Sequence, residues 1–303
     1  MAVVVVCLGT ENHGPPPEPR TTTDISGVRF AVTNSWLECC LRDIAGPPPP
    51  DADVARLCPP GSCPGHFDIK PGDAAVLMKC QALFRFDFQK SLDARIQGLR
   101  TEGPAIISIP APDGLCIPDR YLESCESIHD ELARLEPGRR AVFDAALTAT
   151  RARLSSLSAQ AHATIADARL PGVRVVVSGR QAAFCRWLGL DTVSAYSGGE
   201  AASPAQLRAL VEKGRDARVR FVITNLQEGR QMGEALAYHL GAQVVVFSNF
   251  PDMTSSQNSF DALVNMNIQA LISAAGAIRH GNRSASTPSG GQTRTNTDRH
   301  GEP

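Results

Sequence analysis

The pattern of hydrophobic and polar positions along the chain predicts strands that alternate with helices. Short apolar runs predict strands at VRFAVTNS, ALFRFDF and PAIISIPAP in the first half, and at VRVVVSG, DTVSAY, VRFVITN and AQVVVFSN in the second. Apolar residues at helical spacing follow most of these runs, as in WLECCLRDIAG and SPAQLRALVEKGRD. Strands that alternate with helices are typical of an α/β fold with mainly parallel sheets flanked by helices.

A long segment without glycine or proline lies between two such alternating halves. From 139 to 169 the apolar positions fit one helix of about 30 residues, which at 1.5 Å per residue is about 45 Å long. We therefore expect two α/β lobes joined by one long rigid helix, with ligands held between them at the carboxyl ends of the strands. The predicted boundaries are 1–27 for a signal remnant or linker, 28–138 for the N-terminal lobe, 139–169 for the connecting helix, 170–280 for the C-terminal lobe and 281–303 for a disordered tail.

Composition and charge exclude several classes of function. The 303 residues are 43% hydrophobic with a net charge of -1, and without a basic stripe they do not indicate a nucleic-acid partner. No apolar run approaches the roughly 18 residues of a transmembrane helix. No glycine-rich phosphate loop follows a strand, and no cysteine sits at a glycine-rich turn beside a histidine base. We therefore expect a protein that is not an enzyme.

The segment LCPPGSCPGHFDIKPGD, residues 57–73, concentrates candidate chemistry. Its prolines and Gly65 predict a stiff turn that carries His66 between polar neighbours. The chain has nine cysteines but no C-x-x-C pair, so a zinc ribbon is disfavoured. For Cys58 and Cys63 three interpretations stay open: a disulfide, metal ligation, or thiols buried in the core.

The first residues, MAVVVVCLG, also allow two interpretations. They are either the buried or frayed start of a cytosolic protein, or the end of a lipoprotein signal with lipid attached at Cys7. The second interpretation predicts a membrane-anchored protein outside the cytoplasm.

The order of these segments resembles a known family. VRFAVTNS, PPGSCPGHFDIKPGD, the long helix, VVVSGRQAAFCRWLGL, SPAQLRALVEKG, FVITNLQ and VVVFSN together are similar to the metal-binding solute-binding proteins of bacterial ABC importers, the zinc and manganese uptake family. The similarity covers roughly residues 28 to 279. It implies a periplasmic or membrane-anchored monomer that captures a divalent metal ion, zinc or manganese, between two lobes and delivers it to an ABC transporter permease.

The resemblance also implies a ligand set. The loop GHFDIKP places the first metal ligand at His66, where the family has a histidine. In PDGLCIP, Asp113 stands where the family has a second histidine, and Cys116 is close to it. The segment FSNFPDM places Asp252 at the position of the family's carboxylate ligand, and Asn249 is close to it in sequence.

The third family histidine is the position at which this chain departs most. SGRQAAFCRWLGL places Arg180 there, or Ser178 in a different register. Arginine keeps its proton and cannot ligate a metal. This leaves three alternatives open, of which the first is a harder, manganese-like site made of one nitrogen and two oxygens. The second adds a thiolate of Cys63 or Cys116 and favours zinc or copper(I). In the third, Arg180 replaces the metal, and the chain is a degenerate module of the same fold that holds an anionic solute or a protein partner.

Overall fold

The N-terminal lobe is built on a parallel sheet. A computed structural model describes residues 29–46, 54–59, 65, 69–98, 103–197, 203–253 and 258–285. Within them the first sheet has the strand order β2-β1-β3-β4. The elements of this lobe are β1 (Phe30–Val32), α1 (Ser35–Ala45), β2 (Val54–Arg56), α2 (Pro71–Leu77), β3 (Ala82–Phe86), α3 (Asp93–Gln97), β4 (Ala105–Ile109) and α4 (Pro118–Leu135). Each apolar run predicted as a strand in this lobe forms a strand of the sheet; β1 and β3 are fully buried, and β4 is buried only at Ile107 and Ile109.

The C-terminal lobe repeats the plan with a second parallel sheet in the order β6-β5-β7-β8. Its elements are β5 (Arg174–Ser178), α6 (Ala182–Trp187), β6 (Asp191–Tyr196), α7 (Pro204–Asp216), β7 (Phe221–Asn225), α8 (Gln231–Leu240), β8 (Gln243–Phe247) and α9 (Phe260–Ala285). The α7 helix begins as the sequence predicts, with the Ser203 side chain capping the backbone N–H of Gln206 and Pro204 in the first turn. The predicted fold class, two α/β lobes with parallel sheets, is confirmed.

The long helix that joins the lobes is α5 (Arg140–Asp167), with 28 residues. At 1.5 Å per residue it is about 42 Å long. A single stripe of its side chains is buried, which the spacing of apolar residues predicts: Phe143, Leu154, Leu157, Ala161 and Ile165. The helix packs against α1 and α4 of the first lobe and against α9 of the second. In the described part of the chain, neither α5 nor any other helix is apolar enough over a sufficient length to cross a membrane.

Two features differ from the sequence expectation. The strand β2 is absent from the predicted pattern because its three residues are only half-buried, unlike the three of β1, and follow a run of four prolines. It is recognisable only by its parallel pairing, in which Val54 lies opposite Phe30 of β1. The helix α9 continues to Ala285 and so includes the first residues of the tail predicted at 281–303. Residues 286–303 and 1–28, with Cys7, lie outside the described residues.

Both sheets place a switch point at the same relative position. In each sheet the first strand of the lobe lies between the second and the third strands. The second strand is added on one side of the first strand, and the third strand is added on its other side. At the carboxyl end of β1, the Thr33 hydroxyl donates to Gln89 Oε1 at 2.7 Å. At the carboxyl end of β5, the Ser178 hydroxyl donates to Glu228 Oε2 at 2.6 Å. Ligands of open α/β sheets bind at such points, so these two ends are the first place to look for function.

Candidate functional site

The loop after β4 brings the carboxyl ends of the two sheets together. Its Cys116 thiol donates to the backbone oxygen of Ser248, directly after β8, at 3.2 Å. At Gly114 an added Cβ would lie 3.1 Å from the Cβ of Ala183 in α6, so the two lobes are in close contact here. The indole N–H of Trp36 donates to the Leu115 oxygen at 2.8 Å and holds the loop against the first lobe. The carboxyl edges of both sheets therefore meet at one boundary between the lobes, which we call the cleft.

The N-terminal wall of the cleft begins with an anchored loop. Arg56, the last residue of β2, donates to Glu38 Oε2 at 2.6 Å and to the backbone oxygen of Cys58 at 3.2 Å. Glu38 is buried and also accepts from Arg42. These bonds fix the start of the segment that leads to His66. His66 and Cys63 themselves lie outside the described residues, so their predicted roles stay predictions.

Asp113 and Cys116 lie on the same loop but in different environments. Asp113 is exposed, beside Gly114, which has a φ of 87° in the left-handed region that glycine adopts readily. Cys116 is fully buried, and burial raises the pKa of its thiol well above the ordinary value. Metal ligation requires the thiolate. The Cys116 thiol donates a hydrogen bond to the backbone oxygen of Ser248 and accepts one from Asn267 Nδ2 at 3.4 Å, so it joins the two lobes. Its predicted role as a ligand stays a prediction.

The C-terminal wall is a buried network of side-chain amides. Gln181 Nε2 donates to Asn249 Oδ1 at 2.9 Å and to Asn225 Oδ1 at 3.3 Å. The backbone N–H of Asn249 donates to Gln227 Oε1 at 3.1 Å, which ties the ends of β7 and β8. Gln181, Asn225 and Asn249 are all less than 5% exposed. Sequence reasoning found Asn249 but missed Gln181 and Asn225, although Asn225 ends the strand β7 and Gln181 comes three residues after the end of β5.

Beside this network a carboxylate and a guanidinium face each other. Glu228, on the turn after β7, accepts from Ser178 through Oε2, and its Oε1 lies 3.7 Å from Arg180 Nε. The Glu228 side chain is 18% exposed and the Arg180 side chain 75%. Arg180 thus lies at the cleft edge of the second lobe, and its ion-pair partner is a residue that the sequence did not single out.

The remaining candidate, Asp252, follows Pro251 in the loop after β8 and is exposed, whereas nearby Asn249 is buried. Among the described residues, no group of three or more histidine, cysteine, aspartate and glutamate side chains is placed to hold a metal ion. Asp113, Asp252 and Cys116 alone therefore do not form a site. The complete predicted set depends on His66 and Cys63, which the structure does not describe.

Comparison with known proteins identifies related sequences and folds. Residues 116–274, just over half of the chain, match the family model of ZnuA, the periplasmic component A of the zinc-uptake complex. No curated protein matches the chain in sequence.

Solved structures share the fold at low sequence identity. A zinc-bound deletion mutant of ZnuA is 19% identical, with 82% of this chain and 98% of that chain covered and a TM-score of 0.66. The periplasmic zinc-binding protein TroA from Treponema pallidum is 18% identical, with 82% and 99% covered and a TM-score of 0.67. A manganese-bound periplasmic metal-binding protein from Candidatus Liberibacter asiaticus is 13% identical, with the same coverage and a TM-score of 0.67.

Proposed function

The chain belongs to the family of the periplasmic zinc-uptake component A, and on that premise we propose that it is an extracytoplasmic solute-binding protein for a divalent transition metal. The observation that carries the proposal is the family match over the second lobe and the long helix, where the carboxyl ends of both sheets border one cleft. The metal, zinc or manganese, is the cargo. The protein captures it as a monomer and delivers it to an ABC transporter permease, a task that requires binding and release but no catalysis.

The proposed ligands come from both walls of the cleft. His66 supplies an imidazole nitrogen, and Asp113 and Asp252 supply carboxylate oxygens, with the amide of Asn249 behind them. Both aspartates are exposed and so remain able to reach an ion. A donor set rich in oxygen favours manganese over zinc. Ligation by a thiolate of Cys63 or Cys116 would reverse this preference, and for Cys116 it would require loss of the hydrogen bond to the backbone oxygen of Ser248.

A second candidate function is binding without a metal. It is favoured by the exposed guanidinium of Arg180 at the edge of the cleft and by the uncharged amides behind it. A site of this kind suits an anionic solute or an acidic segment of a protein partner. It predicts that stripped protein is stabilised by anions and is indifferent to zinc and manganese.

Location outside the cytoplasm is part of the proposal. The family is periplasmic, and lipid attachment at Cys7 would anchor the protein to the membrane. Cys7 lies outside the described residues. Metabolic labelling with a fatty acid, compared between the wild type and Cys7→Ser, tests the anchor directly.

The function is tested by metal content and by titration. Purified protein is assayed by plasma mass spectrometry, then stripped and titrated calorimetrically with zinc and with manganese. We expect about one ion per chain, and His66→Ala should weaken binding at least about tenfold, or 1.4 kcal/mol. His239→Ala, which removes an exposed histidine at the end of α8, is the matched control and should change nothing.

Each outcome of this experiment is decisive. An unchanged affinity in His66→Ala rejects His66 as a ligand. If the wild type holds no metal and rebinds none, the receptor function is rejected, and stabilisation by anions that depends on Arg180 then identifies the second candidate.

A further inference from the structure

Glu228 is a carboxylate at the candidate site that the proposed ligand set does not use. It lies on the turn after β7, at the switch point between β5 and β7. One oxygen accepts a short hydrogen bond of 2.6 Å from the buried Ser178 hydroxyl. The other oxygen faces Arg180 Nε at 3.7 Å, which is beyond hydrogen-bond distance. The hydrogen bond from Ser178 therefore fixes the position of the carboxylate, whereas the more distant Arg180 pairs with its charge only weakly.

The exposures of the two partners show which of them can move. Glu228 is 18% exposed and is held by Ser178, whereas Arg180 is 75% exposed on a short turn. An exposed guanidinium loses little when it returns to water, because surface ion pairs contribute little net stability. A carboxylate has about four acceptor positions, so Glu228 can accept further partners while it keeps its bond to Ser178. A divalent cation that arrives at this edge can displace the guanidinium.

A second, independent observation points to a ligand at the same edge. Gln181, the residue after Arg180, is fully buried, and its Nε2 is committed to Asn225 and Asn249. Its Oε1 has no hydrogen-bond partner among the described residues. A buried oxygen without a donor costs stability unless a water molecule or a cation satisfies it. Carboxylate and amide oxygens are donors that hard divalent cations prefer.

We propose that Glu228 is a further carboxylate, besides Asp252, with which the second lobe contacts the captured cation, and that Arg180 is its exchangeable counter-ion in the cation-free protein. The proposal rests on the proposed function, because it assigns a further residue to the same cleft. The guanidinium then competes with the cation for one carboxylate. This competition lowers the affinity of the protein for the cation and favours release of the cation, which delivery to a permease requires.

The test is a calorimetric titration of the stripped full-length protein with Mn²⁺ at neutral pH. Glu228→Gln, which keeps the shape and the bond to Ser178, should weaken binding by at least about tenfold, as loss of a ligand or of its close support does. Arg180→Gln should strengthen binding by about threefold to tenfold, because the competing charge is gone. In the double variant the gain from Arg180→Gln should disappear, since there is no longer a carboxylate to compete for.

The chain offers a matched control pair in the same lobe. Arg174 and Asp191 form a surface ion pair at 3.6 Å at the amino ends of β5 and β6, with both side chains more than half exposed. Asp191→Asn and Arg174→Gln make the same changes of charge at the opposite edge of the sheet, about 13 Å along β5 from Ser178. Neither should alter the affinity by more than about twofold, since exposed charges beyond a Debye length of about 8–10 Å are largely screened.

The outcomes separate this proposal from the proposed function. Wild-type binding of Mn²⁺ with equal affinities in Glu228→Gln and Asp191→Asn overturns the role of Glu228 and leaves the receptor function intact. Weaker binding in Arg180→Gln overturns the counter-ion role. A wild type that binds neither Mn²⁺ nor Zn²⁺ overturns both. Arg180 is exposed, so Arg180→Gln should fold. Its affinity for Mn²⁺ therefore still tests the proposal if Glu228→Gln does not fold.

Discussion

Replacement of Arg153 by methionine tests how firmly the two lobes are held together. Arg153, near the middle of α5, donates to Asp43 of α1 at 2.5 Å and to Asp261 of α9. Asp43 also accepts from the Tyr121 hydroxyl of α4 at 2.7 Å. One guanidinium therefore joins a helix of the N-terminal lobe, the connecting helix and the last helix of the C-terminal lobe.

The expected magnitude follows from the exposure of these side chains. Arg153 is 33% exposed, and both aspartates are 29% exposed, between a surface pair and a buried one. Exposed pairs contribute about 0.2–1 kcal/mol, and removal of one partner from a buried pair costs about 3–5 kcal/mol. We expect Arg153→Met to lower the free energy of unfolding by about 2 kcal/mol, since methionine keeps the apolar stem but leaves two carboxylates unpaired.

The assay is thermal and urea-induced unfolding, with a control on the same helix. A loss of about 2 kcal/mol corresponds to a decrease in Tm of about 3 °C for a chain of 303 residues. Arg151, two residues earlier, pairs with Glu126 at 2.6 Å, with side chains 55% and 43% exposed. Arg151→Met should cost at most about 0.5 kcal/mol. If the two variants lose the same stability, Arg153 does not act as a clamp and the reasoning fails.

Two further predictions concern the half-buried carboxyl of Asp43 and two helical glycines. Burial raises the pKa of Asp43 above its ordinary value of 3.8 despite Arg153, so the folded state holds this proton more tightly than the unfolded state. The difference in the free energy of unfolding between the wild type and Asp43→Asn should favour the wild type most below pH 3.8, and should shrink as pH rises through the raised pKa. Urea unfolding at several pH values measures this difference. A difference that does not change with pH would contradict the prediction. Gly233→Ala should cost about 1–3 kcal/mol, because an added Cβ would overlap Thr224 Cγ2 on β7. Gly276→Ala, where the described residues leave open space around an added Cβ, should stabilise by up to about 1 kcal/mol, and equal effects at both glycines would refute the packing argument.

The fold could be predicted from local patterns because each element carries its own signal. The run VRVVVSG predicts a buried strand, and β5 (Arg174–Ser178) lies within it. The spacing of apolar residues between 139 and 169 predicts α5, because one buried stripe recurs with the period of the helix. The short strand β2 lacked such a signal, since three half-buried residues have no period to read.

The candidate site could be predicted only in part. The resemblance directed attention to the loops of His66, Asp113 and Asp252, and to Asn249, which does lie in the buried network. It also directed attention to Cys116 as a thiolate ligand, which stays a prediction; the structure adds that this thiol is buried and hydrogen-bonded to the backbone oxygen of Ser248. Sequence position alone carries no information about burial of this kind.

The sequence by itself determined the order of strands and helices, the rigid connection between two lobes and the family to which the chain belongs. These features depend on the period of apolar residues and on short motifs, which are local properties of the chain. The tertiary structure decided which polar side chains meet in the cleft. Cys116 and Ser248 are 132 positions apart, Gln181 and Asn249 are 68 apart, and Ser178 and Glu228 are 50 apart. Such pairs form only when parallel strands bring their carboxyl ends to one edge, so only the fold could reveal Glu228 and Gln181.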